Sequence, residues 1–349
     1  GRVRDNDGNW FGVQNAHPLW HYVLDDRYLG RNPDVPAPDP RKMLRGIQPG
    51  IFAASKAQKR FHGFDHVGRY TSACGISVYR DNILFPQAAG RLTAFTCEPF
   101  SNLVQRHVLS AHGVSFNAQR AADGKLDFFA SGDRWCRPVM SRTAPDGSLW
   151  VVDMYRYMIE HPQWLPAEGK RELKPHYYSG QGKGRIYRVS RAGAEHPWRP
   201  ATEDSPNGIA KDIADRESFR NGKHPKWDAR RIESAMQSDN PGLRRLGLRM
   251  SESLTVIPQG LIDAASDPDA KVRLQAAFSL GEFKDNKAGK ALVGIARRDG
   301  ADPYVVAAVL SSAVPHYKEL LSAAGDFSEA LVLGLMKMSA KDPDLAGTI

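Results

Sequence analysis

Apolar positions fall in short, strand-like bursts through residues 1–190 and at helical spacing beyond residue 225. In the first part, Asp7-Gly8 precedes Asn9-Trp10-Phe11-Gly12-Val13, and Asp146-Gly147 precedes Ser148-Leu149-Trp150-Val151-Val152. Each reads as a tight turn, with glycine supplying a positive φ, that launches a short aromatic and aliphatic strand. Asp123-Gly124, ahead of Leu126-Asp127-Phe128-Phe129, is a weaker third copy. Further strands are predicted over 70–80, 91–98, 103–110, 125–131, 138–142, 148–154 and 184–190. Gly8 and Gly147 lie 139 positions apart, close to three of the ~40–50-residue units of a propeller blade. The expectation for 1–190 is therefore all-β, the C-terminal blades of a partial β-propeller. Two long loops interrupt it: the proline-rich stretch 32–49, and 154–181, where a short helix is predicted over 155–160 and ended by His161-Pro162.

Residues 191–225 read as a linker, with few apolar anchors among Gly, Pro and charged residues. Beyond them the pattern becomes all-α. Asn240-Pro241, Asp267-Pro268, Asp302-Pro303 and Asp342-Pro343 each put a capping residue before proline at a first helical position. Val272, Ala276, Leu280 and Phe283 follow one cap at helical spacing, and Gly281 and Asp299-Gly300 are predicted stops. The Asp-Pro starts recur after 35 and then 40 residues, the period of a HEAT-like helical hairpin, over 226–349. The chain opens at Gly1 without Met and stops at Ile349 just after the last cap, so it reads as an internal fragment, with earlier blades expected upstream.

Composition changes this picture little. The net charge of +9 raises nucleic acid as a partner, yet acidic residues are interleaved throughout and no Lys/Arg block appears, so nucleic-acid binding ranks last. No apolar run approaches the ~20 residues of a transmembrane helix. The three cysteines, Cys74, Cys97 and Cys136, suit neither a zinc site nor a haem attachment motif. A hairpin register with Tyr79 opposite Leu92 would set Cys74 opposite Cys97, leaving open a cross-strand disulfide or two ordinary buried thiols.

The strings SACGISVYRDNILFP, GRLTAFTCEPFSNLVQR, SGDRWCRPV, PDGSLWVVDMYRYMIEHPQWLP and YYSGQGKGRIYRV, with SDPDAKVRLQAAFSLGEF and DPYVVAAVLSSA in the helical part, carry a resemblance. They resemble the membrane-bound dehydrogenases, so named by analogy, of planctomycete-type bacteria. The resemblance implies an extracytoplasmic protein with a six-bladed propeller similar to quinoprotein sugar dehydrogenases. It further implies a HEAT region that serves as a scaffold for protein partners, and often a c-type haem domain. No haem attachment motif lies in this chain, so haem c would belong to a domain outside it. The implied activity is oxidation of a sugar or alcohol, with PQQ and calcium as cofactors. The rival is a non-catalytic propeller and HEAT platform that binds glycans or proteins.

In a propeller, the loop leading into each innermost strand and the loop joining the second and third strands open on one face. By that rule 68–75, 131–137, 98–102, 153–181 and 15–21 converge on one rim. On it, Arg134 and Arg137 are candidates to clamp quinone carboxylates, and Trp135 to stack on a planar ring. Asp153, Tyr155, Arg156 and Glu160 could bind a sugar hydroxyl or hold an arginine, with blade-to-blade hydrogen bonding as the plain alternative. His66 is the candidate general base, with Asp153 as the second catalytic candidate. His62, Asp65 and His66 form an HxxDH motif on a loop, where convergence on a metal is not expected, so no metal ligands are assigned.

Overall fold

The computed structural model describes residues 1–56, 67–86, 91–159, 161–202, 204–223 and 226–340. The chain divides into two compact units, one β-rich and one helical. The β-rich unit comprises Gly1–His21, Met43–Ala111 and Phe116–His224, and the helical unit Tyr22–Lys42, His112–Ser115 and Pro225–Ile349.

Three sheets build the β-rich unit. The first orders β1 (Arg2–Arg4), β2 (Trp10–Gln14), β3 (His17–Tyr22) and β4 (Arg41–Met43). The second runs β5 (Cys74–Val78), β6 (Leu92–Glu98), β7 (Leu103–His112) and β8 (Ser115–Arg120), with β9 (Phe129–Ala130) also paired to β7. The third holds β10 (Pro138–Thr143), β11 (Leu149–Asp153) and β12 (Arg185–Val189). Aspartates lock the glycine turns: Asp5 accepts from the N–H groups of Asp7 (2.9 Å) and Asn9 (2.8 Å), and Asp146 from the N–H (2.9 Å) and hydroxyl (2.5 Å) of Ser148. Gly8 and Gly147 take the positive φ (81° and 74°) that the turn reading requires.

Neighbouring sheets meet along their first strands. β5 packs against both β1 and β10, and the Ser77 and Ser141 hydroxyls hydrogen-bond at 2.6 Å between β5 and β10. Alternation along the strands gives the second sheet two buried faces. Leu103, Leu109 and Ala94 join Phe11, Leu19 and Tyr70, while Phe95, Cys97 and Val104 join Tyr79, Leu149 and Val151.

Three local expectations are corrected. β8 falls where no strand was predicted. The stretch predicted helical over 155–160 is irregular as far as it is described, because Tyr155 adopts φ 54°, outside the right-handed helical region. A helix, Gly208–Arg220, forms within the stretch read as linker. Asn207 caps it by accepting from the N–H groups of Ile209 and Ala210, and Asp212 pairs with Arg80 at 2.5 Å.

In the helical unit, Asn240 and Asp302 cap their helices as the sequence predicts, accepting from the N–H groups of Leu243 and Tyr304. The cap expected at Asp267 moves to Asp269, which accepts from the Lys271 N–H at 2.7 Å. Asp267 instead receives Arg244, at 2.7 and 2.9 Å. Arg273 repeats this on Asp299, at 2.6 and 2.7 Å. Asp342-Pro343 lies outside the described residues. Tyr28, on the short helix Asp26–Leu29, stacks on Phe278 (4.6 Å between rings) and donates its hydroxyl to Glu252 at 2.6 Å. Among the described residues, no helix is long and apolar enough to cross a membrane.

Candidate functional site

The 68–75, 98–102, 131–137 and 153–181 loops meet at one end of the second and third sheets of the β-rich unit. Their meeting is built from buried polar anchors. Glu98, at the end of β6, is fully buried and accepts from the N–H groups of Thr71 (3.0 Å) and Ser72 (2.9 Å) and from the Ser72 hydroxyl (2.6 Å). Asn102, in the left-handed conformation (φ 61°), donates to the carbonyls of Arg134 (3.1 Å) and Cys136 (2.6 Å). Arg137 is buried and directs its guanidinium onto four carbonyls: Pro99 (3.0 Å), Phe100 (3.2 Å), Arg156 (2.9 Å) and Tyr157 (2.6 Å).

Asp153 closes β11, and both of its oxygens are taken. Oδ1 accepts from the N–H groups of Arg137 (2.7 Å) and Tyr155 (2.8 Å), and Oδ2 from Nε (3.1 Å) and Nη2 (2.9 Å) of Arg185. Arg156 turns inward as well, donating to the carbonyls of Met154, Tyr155 and Gly180. Gly180 is obligatory for that approach, since a Cβ there would sit 2.3 Å from the Tyr155 carbonyl oxygen.

Over these anchors lies a run of partly exposed rings. Trp135 contacts Tyr155 (5.7 Å between centroids) and Tyr157 (5.4 Å), and Tyr157 contacts His176 (4.5 Å). The Arg185 guanidinium covers Tyr155 at 4.2 Å and Tyr187 at 5.3 Å, and reaches Asp133 at 3.4 Å. Arg134 is exposed at the lip of this run.

Of the predicted residues, the structure thus gathers Arg134, Trp135, Arg137, Asp153, Tyr155 and Arg156 at one rim. His66, with His62, Asp65 and Glu160, lies outside the described residues. His21 is buried against Phe11 and Phe116 (5.4 and 5.1 Å), and His17 lies 6.5 Å from Trp20, both in the first sheet. Sequence reasoning missed Arg185, Tyr157 and Asn102. Arg185 stands directly opposite Asp153 in the β11–β12 register, so drawing that hairpin would have found it. Asn102 left no such signal, because only its backbone conformation aims its amide.

A quinone such as PQQ would need outward-facing guanidinium donors for its carboxylates. Arg137 is buried and spends its guanidinium on carbonyls inside the fold, whereas Arg156 is half-buried and Arg134 exposed. The Arg134–Arg137 clamp for quinone carboxylates therefore does not fit this rim. Among the described residues no three His, Cys, Asp or Glu side chains are grouped to hold a metal ion.

Glu98 has its carboxyl held above the ordinary range by burial, against the opposing pull of Ser72, Thr71 and Phe100. A carboxyl whose folded value is raised keeps its proton longer in the folded state, so its contribution to stability falls as pH rises above the unfolded value of about 4.3. Urea midpoints at pH 4 and pH 7 should fall less with rising pH in Glu98→Gln than in the wild type. An identical fall in both proteins would remove Glu98 as the source.

A family model described as "Domain of unknown function (DUF7133)" matches residues 1–193. No curated protein and no solved structure matches the chain.

Proposed function

The chain belongs to the DUF7133 family, whose model spans the whole of this rim, and we propose that the rim recognises a polyhydroxylated ligand, a sugar or polyol. The observation that carries the proposal is the half-exposed run Trp135–Tyr155–Tyr157–His176, flanked by Arg185 and Asp133. Aromatic faces stack on the C–H faces of sugar rings, and charged groups beside them hydrogen-bond the hydroxyls. We read the three sheets as propeller blades, supported by the packing of β5 between β1 and β10, and the helical unit as a HEAT-like scaffold for protein partners. An extracytoplasmic location belongs to the same proposal and rests on the family resemblance.

Recognition without chemistry is the reading favoured by Asp153 and Arg137, whose polar atoms are occupied inside the fold. The dehydrogenase reading, oxidation of a sugar or alcohol in a quinoprotein-like manner, rests on the family resemblance. In that reading this rim supplies binding, and the base lies elsewhere.

Tryptophan fluorescence titration with a panel of neutral monosaccharides, oligosaccharides and polyols tests the first proposal. Saturable quenching is expected, and Trp135→Ala should weaken it about tenfold, the loss of roughly one aromatic contact. No saturable response to any member of the panel, or unchanged affinity in Trp135→Ala, overturns it. Dye reduction by the protein incubated with PQQ and Ca²⁺ tests the second, and turnover of any bound sugar would restore it.

A further inference from the structure

Outside the rim, the arrangement with the clearest chemistry is a pair of cysteines on neighbouring strands. Cys74 opens β5 and Cys97 lies near the end of β6, and the two are direct partners in the antiparallel ladder. This alignment is not the default. Ser77 faces Phe95 and Val78 faces Ala94, a register that, carried back unbroken, would set Cys74 opposite Glu98. A bulge between Cys74 and Ser77 shifts the strand and brings Cys74 onto Cys97. The bulge is built on Gly75, at φ 55°, whose missing Cβ would lie 2.3 Å from the Val139 carbonyl oxygen.

Partners in an antiparallel ladder point their side chains to the same face. Accordingly Cys74 packs on the apolar cluster that contains Cys97. Directly opposed residues have Cα atoms about 4.5–5.5 Å apart, inside the range a disulfide spans. Each thiol has only weak contacts: Cys97 Sγ lies 3.9 Å from the Gly75 carbonyl and beside the Ser141 hydroxyl, and Cys74 Sγ 3.6 Å from the carbonyl of Val139. Both are free thiols here, and Cys136 belongs to the loop before β10.

We propose that Cys74 and Cys97 close to a cross-strand disulfide when the chain folds in an oxidising environment. The oxidant is a small disulfide such as oxidised glutathione. The Cys74 thiolate, from the half-buried partner, attacks one glutathione sulfur, breaks the glutathione S–S bond and expels one glutathione thiolate. The Cys97 thiolate then attacks the Cys74 sulfur of the mixed disulfide and expels the second. Two cysteine protons end on two glutathione thiols, and two electrons pass to the oxidant. Burial pushes the Cys74 thiol up to about 12 and the Cys97 thiol well above its ordinary value, so exchange is slow in the closed fold and fast while the strands assemble. The site would therefore be set when the chain folds, and would then be protected from reduction by its burial.

The full chain, refolded with oxidised glutathione, trapped with N-ethylmaleimide and digested with trypsin, tests this. The peptide 70–80 is expected joined to the peptide 92–106, two hydrogens lighter than their sum, with the Cys136 peptide alkylated. Oxidation is also expected to raise the melting temperature by roughly 5–10 °C, an effect absent from Cys74→Ser. Full alkylation of both peptides, a stable glutathione adduct without the cross-link, or a link to Cys136 would each overturn the proposal.

Discussion

Asp153→Ala is expected to lower the unfolding free energy by roughly 3 kcal/mol, the cost of two orphaned backbone donors together with one partly exposed ion pair. The carboxylate is almost fully buried and receives the N–H groups of Arg137 and Tyr155. The Arg185 side chain is 42% exposed, so its share of the loss is small. Tyr155 adds to the effect, because its left-handed backbone, uncommon for a bulky residue, is held by this hydrogen bond. Asp153→Asn keeps an oxygen for the two N–H groups and sets its amide against Arg185, so about half the loss is expected. Urea unfolding followed by circular dichroism measures both. A wild-type midpoint in Asp153→Ala would show that the rim does not depend on this anchor.

His107→Leu is expected to remove the acid sensitivity that buried His107 gives the fold between pH 6.5 and pH 3. His107 lies on β7, fully buried, and neither ring nitrogen meets a partner among the described residues. Burial, aided by the charge of Arg45, pulls the imidazole down to about 3. The sign follows from which state binds the proton. Below the unfolded value of about 6.5 the unfolded chain takes up a proton that the folded chain refuses, so stability falls as pH falls and levels off near the folded value. Two pH units below 6.5 the loss is about 2.7 kcal/mol, at 1.36 kcal/mol per unit. The difference in urea midpoint between pH 7.5 and pH 4.5 should therefore be much smaller in His107→Leu. Equal differences in the two proteins would show that His107 is charged or solvated in the fold. Glu98 acts in the opposite sense over an overlapping range, so each variant must be read against the wild type and not against a single pH profile.

Much of the local structure was legible because local chemistry decides it. Asp-Gly before an aromatic and aliphatic run can do little but turn and extend, and β2 and β11 follow such turns. Asn240 and Asp302 cap their helices because a proline at the first helical position leaves the preceding side chain free to serve the first turn. Failures occurred where two local signals competed. Asp267-Pro268 and Asp269 both suit a cap, and Asp269 takes the helix while Asp267 accepts Arg244 across to a neighbouring helix. Residues 155–160 have helical composition, yet the anchors on Asp153 and Gly180 hold Tyr155 and Arg156 in an irregular turn.

The same division runs through the candidate site. Its membership could be read in the sequence, since loops at one end of successive sheets must collect on one rim. The direction in which each side chain points could not. Whether Arg137 faces solvent or four carbonyls depends on loops 38 residues upstream and 20 downstream, and only their packing determines it. Likewise the alternation of the β5–β6 hairpin suggested that Cys74 and Cys97 meet, but through a register one residue away from the true one. Side-chain type and spacing act over a few residues and so determined turns, strands and caps. The inward turn of Arg137 and the saturation of Asp153 were decided by the tertiary structure, because each satisfies buried backbone groups that only the assembled sheets create, and so was the bulge at Gly75, where the Val139 carbonyl of the next sheet leaves no room for a Cβ.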